Sequence, residues 1–284
     1  MQAGSSRQRT LGRCRFRRAA AMMDVCWNRN TEEAMSAFRD SAELYEILAN
    51  AAKRLEREGP FLLDCLGRAP GSRVLDLACG TGIHALFFAG HGADVTACDV
   101  SKEMIDHAAR TRPHPSIRYE VGDMRRLTEG TWDLIVCLGN SLSLLHDADE
   151  LDATLAGVRD HLGKGGLFLS QTLNYASEAA QSPRHRIERA PIENGEVVVA
   201  KDLVPHGDRT FLAMSFFVDQ ASRVDTVSET AVLRNWRFEE LGEAAERAGL
   251  RMEGVFGGFD RSPYDPRSSG DLIALFAQAT PQAR

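Results

Sequence analysis

The chain has 284 residues, 43% of them hydrophobic, enough to bury the core of one large domain or two small ones. No run of 18 apolar residues occurs, so no membrane-spanning helix is expected. Six scattered cysteines (Cys14, Cys26, Cys65, Cys79, Cys98, Cys137) without a CxxC pair argue against a disulfide framework or a zinc site, and fit a reduced, cytoplasmic setting. The net charge of −6 is uneven: residues 1–23 carry six arginines and no acid, leaving −12 on the rest. An acidic body is a poor partner for nucleic acid, because phosphate neutralisation supplies most of that affinity.

In chain order, residues 1–23 are expected to form a disordered basic tail. Their Arg-rich, acid-poor composition also suits a targeting peptide, or sequence ahead of a start at Met22 or Met23. Apolar residues at helical spacing predict a helix over 31–57 and a short second one over 59–67, ending near Pro70-Gly71. Strand-like runs then fall at 73–78, 93–98, 116–121, 132–138 and 165–172. Helical segments fill the gaps at 83–91, 101–111, with Ser101 as cap, and 148–162. This alternation predicts an α/β fold with a mostly parallel, doubly wound sheet. After Thr172 the rhythm changes to extended runs at 185–192, 196–204, 209–218 and 223–233, punctuated by Asn194-Gly195 and His206-Gly207-Asp208. Residues 174–235 therefore read as an antiparallel insert, after which a helix at 236–248 and strands at 250–257 and 271–278 resume the α/β pattern. The expected organisation is one domain over 24–278, with a short tail at 279–284.

The most informative stretch is Asp76-Leu77-Ala78-Cys79-Gly80-Thr81-Gly82, a strand running into a glycine turn. Gly80, Gly82 and Ala85 loosely match the dinucleotide fingerprint G-x-G-x-x-G. Asp76 argues against it, since a carboxylate about 4 Å from a pyrophosphate at a partly buried site is repelled by about 4 kcal/mol. S-adenosylmethionine has no phosphate and carries an ammonium and a sulfonium, so an acid four residues before Gly80 suits it. Asp99 ends the second strand 17 residues past Gly82, where a carboxylate can accept both ribose hydroxyls of either ligand. Asp123 in Gly122-Asp123-Met124 is placed to accept the adenine amino group, with Met124 packing on the ring. Cys79 reads as a small filler.

The ordered set DLACGTG (76–82), CDVSKEMI (98–105) and GDM (122–124) resembles class I S-adenosylmethionine-dependent methyltransferases over about residues 40–278. The resemblance implies a seven-stranded, Rossmann-like sheet with its last strand antiparallel. It implies a cofactor site of Asp76, Ala78, Gly80 and Gly82 around the methionine part, Asp99 at the ribose, Asp123 and Met124 at the adenine, and Val100, Met104 and Leu138 flanking them. Leu138-Gly139-Asn140-Ser141, Leu145-His146-Asp147 and Asn174-Tyr175 look like the glycine/sarcosine N-methyltransferase branch. That branch has a carboxylate-gripping arginine before Asn-Tyr. Here Leu173 stands there and cannot make the bidentate contact, which implies a different acceptor. The insert fits relatives in which it lids the acceptor cavity.

Methyl transfer asks the protein mainly to position the acceptor and exclude water. Three side chains are candidates for the transfer step: Asn140, accepting a hydrogen bond from an acceptor amine; His146, as base; and Tyr45, closing over the sulfonium of the cofactor. Among the lid cations, Arg184, His185, Arg186, Arg189 and Arg234 are candidates to replace the missing carboxylate grip. The eight histidines show no metal-ligand spacing, so no metal is expected. The reading is methyl transfer from S-adenosylmethionine to a small-molecule acceptor at an amine nitrogen, with neither nucleic acid nor membrane as partner and a homo-oligomer left open. The alternative is O-methylation of a hydroxylated or carboxylated metabolite. NAD-linked oxidoreduction and a catalytically silent cofactor sensor are the competing classes.

Overall fold

The computed structural model describes residues 42–279, apart from 128, 193–194 and 221–222. The predicted basic tail, Cys14, Cys26, the first part of the predicted helix 31–57, Asn194 of the predicted turn and all of the closing tail but Ala279 lie outside the described residues.

Two helices come first, α1 (Ala42–Ala49) and α2 (Ala51–Arg68). The break expected between residues 57 and 59 falls instead at Asn50, which adopts a left-handed conformation (φ 37°) while its side chain accepts from Lys53 N–H. Asparagine tolerates that conformation and caps a helix well. Helix α2 then runs through Pro60, losing one backbone bond without ending, because its apolar face (Phe61, Leu62, Cys65) is buried against the sheet.

The main sheet contains β1 (Arg73–Leu77), β2 (Asp94–Asp99), β3 (Ile117–Val121), β4 (Trp132–Cys137), β5 (Leu162–Leu173), β10 (Leu250–Phe256) and β11 (Asp271–Gln278). Its order is β10-β11-β5-β4-β1-β2-β3, and β11 runs antiparallel to both neighbours. The predicted seven-stranded, mostly parallel sheet is thus observed. Strand β1 is buried at its last four residues and β4 throughout, as expected of central parallel strands covered on both faces. Val74, Leu134 and Val136 face one core with Phe61 of α2 and Phe88 of α3 (Ile83–Gly90). Leu75, Leu77, Ile135 and Cys137 face the other, with Val158 of α5 (Ala148–His161) and Leu241 of α6 (Phe238–Arg247). Helix α4 (Lys102–Thr111) begins where Ser101 Oγ accepts from Met104 N–H, as the sequence predicts.

The predicted insert is a four-stranded antiparallel meander, β6 (Arg184–Ile192), β7 (Gly195–His206), β8 (Arg209–Gln220) and β9 (Arg223–Arg234). Its apolar face, with Val197, Val199, Met214 and Phe216 buried, packs against Leu44 of α1 and Leu144. Trp236 just past β9 donates its indole N–H to the Leu142 carbonyl at 2.9 Å, pinning the insert beside the end of β4.

In this order β1 lies between β2 and β4, so the winding reverses there and a crevice opens at the carboxyl ends of the strands. The two turn glycines after β1 serve different surroundings. Gly82 (φ 78°) is closed in: a Cβ there would lie 2.8 Å from the Tyr119 hydroxyl and 3.1 Å from Ala108 Cβ. Gly80 (φ 54°) has nothing within 4 Å of the same position. Replacing Gly82 by Ala combines an unfavourable dihedral with a steric overlap, and should lower stability by about 1–3 kcal/mol in thermal unfolding, partly regained with Tyr119→Phe. Gly80→Ala should lose only the dihedral part.

Candidate functional site

A cavity of about 410 Å³ lies at this crevice, roofed by the insert and by α1 and α2. The volume falls in the range of small-molecule sites. Its floor is built from strand ends: Ala78 and Gly80 after β1, Asp99 and Val100 at β2, Gly122 and Met124 after β3, Gly139 and Asn140 after β4. Met104 of α4 and Tyr45 of α1 also line it. Ala78 is held at φ 55°, an uncommon conformation for a residue with a Cβ and one that clusters at functional sites.

Asp99 has both oxygens engaged by backbone, Oδ2 accepting from Gly80 N–H and Oδ1 from Ser101 N–H, each at 2.9 Å. It thereby fastens the glycine turn to the end of β2, and each oxygen keeps a further lone pair toward the cavity. Burial raises its pKa despite these two donors.

Asp76 does not reach the cavity wall. It follows Val74 on the α3 face of β1, 1% exposed, with its Oδ2 lacking any hydrogen-bond partner. Burial pushes its pKa up to about 7; the charge of Arg54 and the Ala85 amide work against that rise, and the Asp99 charge adds to it. A buried carboxylate beneath a cavity, with an unfilled acceptor oxygen, fits a cationic ligand, and the uncrowded Gly80 floor leaves room for one. The donor set therefore fits S-adenosylmethionine.

Other predicted residues fall elsewhere. Gly82 packs behind the turn against Tyr119. Leu138 is 4% exposed in the core shared with α2 and α3. Asp123 does not line the cavity; Arg125 takes its carboxylate (Nη2–Oδ2 2.7 Å) and also reaches Glu150 at 2.6 Å. The reason is local: two residues apart in a turn, an Asp and an Arg satisfy each other. Asn140 lines the cavity, but its side chain works inward: Oδ1 accepts from Leu173 N–H at 2.8 Å and Ser143 Oγ at 3.0 Å, and Nδ2 donates to the Tyr175 hydroxyl at 2.8 Å. Its amide thus locks the end of β4 to the end of β5. His146 sits half-buried away from the cavity, near Arg209 and Glu150, and burial lowers its pKa. Of the lid cations singled out, Arg186 lines the cavity. Cys79 is buried, and burial raises its thiol pKa well above the ordinary value, consistent with a filler.

The sequence reading missed the charged roof. Arg54 of α2 lines the cavity with its guanidinium against Gly139, where a Cβ would lie 3.2 Å from Nη2. Its Nε donates to both oxygens of Glu58 at 3.2 Å. Glu58, 1% exposed, also accepts from Arg57 at 2.9 Å and contacts His84 Nε2 at 2.8 Å. Burial opposes its ionisation, but these partners hold its pKa at about 2. The (i, i+4) spacing of Arg54 and Glu58 was hidden because the expected break between helices 31–57 and 59–67 separated them, whereas the observed α2 carries both. Gln171 of β5 completes the frame, accepting from Gly139 N–H at 2.8 Å and donating to Asp271 at 2.7 Å.

Residues 74–166 match the methyltransferase-domain family. The chain is 29% identical to a cypemycin N-terminal methyltransferase of a Streptomyces species, over 73% of this chain and 84% of that one. It is 31% identical to a glycine/sarcosine N-methyltransferase of Halorhodospira halochloris, over 51% of this chain and 55% of that one. Its fold is that of an S-adenosylmethionine-dependent methyltransferase from Clostridium acetobutylicum, with TM-score 0.68 at 17% identity over 93% and 99% of the two chains. The chain is a class I S-adenosylmethionine-dependent methyltransferase. No helix among the described residues is long and apolar enough to cross a membrane, and no cluster of three His, Cys, Asp or Glu among them could hold a metal ion.

The raised pKa of Asp76 has a definite sign. The folded chain binds a proton there that the unfolded chain releases near its ordinary value of 3.8, so stability falls as pH rises from about 4 to about 7 and is level above. Asp76→Asn, neutral throughout and still able to accept from Ala85, should melt higher than the parent at pH 8, with the gap closing toward pH 4 in ligand-free thermal unfolding.

Proposed function

We propose that this methyltransferase acts on an amine nitrogen of a small-molecule acceptor enclosed beneath the insert. The observation that carries the reading is the state of the acids on the cavity wall. Each is already held: Glu58 by Arg54, Arg57 and His84, Asp271 by Gln171, and Asp99 by two backbone amides. His146 is absent from the wall. An amine that arrives neutral needs no base, whereas a hydroxyl acceptor is helped by one. The two relatives named above are N-methyltransferases by description.

When bound, S-adenosylmethionine supplies an electrophilic methyl carbon attached to a sulfur leaving group. The acceptor nitrogen uses its lone pair to form the N–C bond as the S–C bond breaks, and its proton leaves for water. The chain's part is binding and exclusion of solvent. Asp99 accepts the ribose hydroxyls, and Met124 and Val100 flank the adenine. Arg54 offers a guanidinium to the methionyl carboxylate, and Asp76 acts from behind the floor by its charge, favouring the ammonium. Tyr45 and Leu173 bound the space left for the acceptor. Asn140 acts as a positioning residue, holding the β4 and β5 ends in register.

Incubation with methyl-labelled S-adenosylmethionine and a pooled metabolite library, followed by mass spectrometry, should give an N-methylated product; label on oxygen alone would overturn the assignment. Asp99→Ala should weaken S-adenosylhomocysteine binding 10- to 100-fold in calorimetry, the loss of charged hydrogen bonds of about 1.5–3 kcal/mol. Unchanged affinity would remove Asp99 from the ribose.

A further inference from the structure

We infer that the acceptor carries an anionic group, a carboxylate or a phosphate, and that Lys201 and Arg186 of the insert hold it. The inference rests on the function proposed above and names its substrate class. The inner face of the insert is a place for apolar side chains. Along β7 it presents Val197 and Val199, both buried, then Lys201, then Leu203, and across from Lys201 stand Met214 on β8 and Arg186 on β6. An ammonium on such a face is costly to desolvate unless something pairs with it. The packing of the insert gives no reason for it, since Val199 and Leu203 on either side serve the same sheet.

Among the described residues no acid is ion-paired with that cation: Glu229 of β9 shares its face but stands one strand further off, beyond Met214. On β6, Arg184 and Arg186 act on Lys201 with the same sign, and Glu188 is the opposing charge. Glu188 is already engaged by Arg186, Nε to Oε1 at 2.8 Å. Across the cavity Arg54 and Arg57 share Glu58, Asp271 is bonded by Gln171, and Asp99 faces the floor amides. Burial and the two arginines lower the Lys201 pKa, the direction that a bound anion would reverse. Leu173, which also lines the cavity, offers an anion nothing.

The geometry extends outward as well. Arg54, Arg57 and Arg186 line both the cavity and a neighbouring groove of about 510 Å³, to which Lys53 adds a fourth cation against Glu56 and Glu188. An acceptor whose anionic end lies at Lys201 and Arg186 can continue into this groove while its amine stays inside. An ammonium beside arginine guanidinia suits both carboxylate and phosphate oxygens.

The test uses the full chain, labelled S-adenosylmethionine and matched acceptors: amino acids against their amino alcohols, and amino-sugar phosphates against the free amino sugars. Label should go to the anionic member of a pair, and which kind of pair responds separates carboxylate from phosphate. Lys201→Met should raise KM for that acceptor at least tenfold with unchanged S-adenosylhomocysteine affinity, and Lys201→Arg should restore most of it. Equal labelling of the neutral partners, or a Lys201→Met variant with unchanged KM, overturns the inference. Anionic acceptors labelled on oxygen would support the anion site while removing the nitrogen assignment. If no pair turns over, titration of the S-adenosylhomocysteine-loaded protein with inorganic phosphate and with acetate decides. Binding lost in Lys201→Met supports the site; binding absent, or equal in both, overturns it.

Discussion

Asp76 is withdrawn from water by its place on the central strand, between β2 and β4, and the rest of the site is arranged around that buried carboxylate. Burial alone disfavours its charge, and the guanidinium of Arg54 across the cavity offsets part of the penalty. Arg54 in turn is partnered by Glu58, which His84 and Arg57 hold ionised. A chain of alternating charge therefore runs from the sheet floor to the roof helix. It leaves the Asp76 Oδ2 without a hydrogen-bond partner beneath the cavity, where a cationic ligand would favour the charged carboxylate.

The same strand ends fix the shape of the cavity. Asp99 ties the turn after β1 to β2, and Asn140 and Gln171 tie the end of β4 to β5. These are side-chain bonds to backbone amides, so the loops at the crevice are held by polar groups that a ligand does not have to supply. The apolar residues beneath carry the stability, and the loops carry the chemistry. The insert contributes a wall of different character, apolar where it packs on α1 and, at the cavity, built of Leu203, Leu212, Met214 and Leu233 with two cations, Arg186 and Lys201, among them.

The predicted elements from β1 to β11 reappear within a few residues of their expected bounds, because the periodicities of 2 and 3.6 residues are local properties. The break at Asn50 was misplaced because Pro60 and Gly59 are stronger local signals than a capping asparagine, yet tertiary burial of α2 overrode them. At the site, Gly80, Asp99, Met104 and Met124 were legible because they follow strand ends at fixed spacing, and all four line the cavity. Asp123 and His146 were not distinguishable from cavity residues in one dimension. Asp123 is taken by Arg125 two residues on, a local pairing that competes with any ligand, whereas the place of His146 depends on Glu150 and Arg209, which only folding brings beside it.

By itself the sequence determined the class: an α/β sheet, a glycine turn with a carboxylate before it, a second acid at the next strand end, and hence the cofactor. These are short-range patterns with a direct physical meaning. The tertiary structure decided what lines the rest of the cavity. Arg54, Glu58, Arg186 and Lys201 lie on the first helices and on an insert more than a hundred residues away, and they meet over the sheet because α2 and β6 converge there. No spacing rule announces a lysine on the inner face of a meander, since the apolar neighbours that surround it are brought there only once the chain is folded.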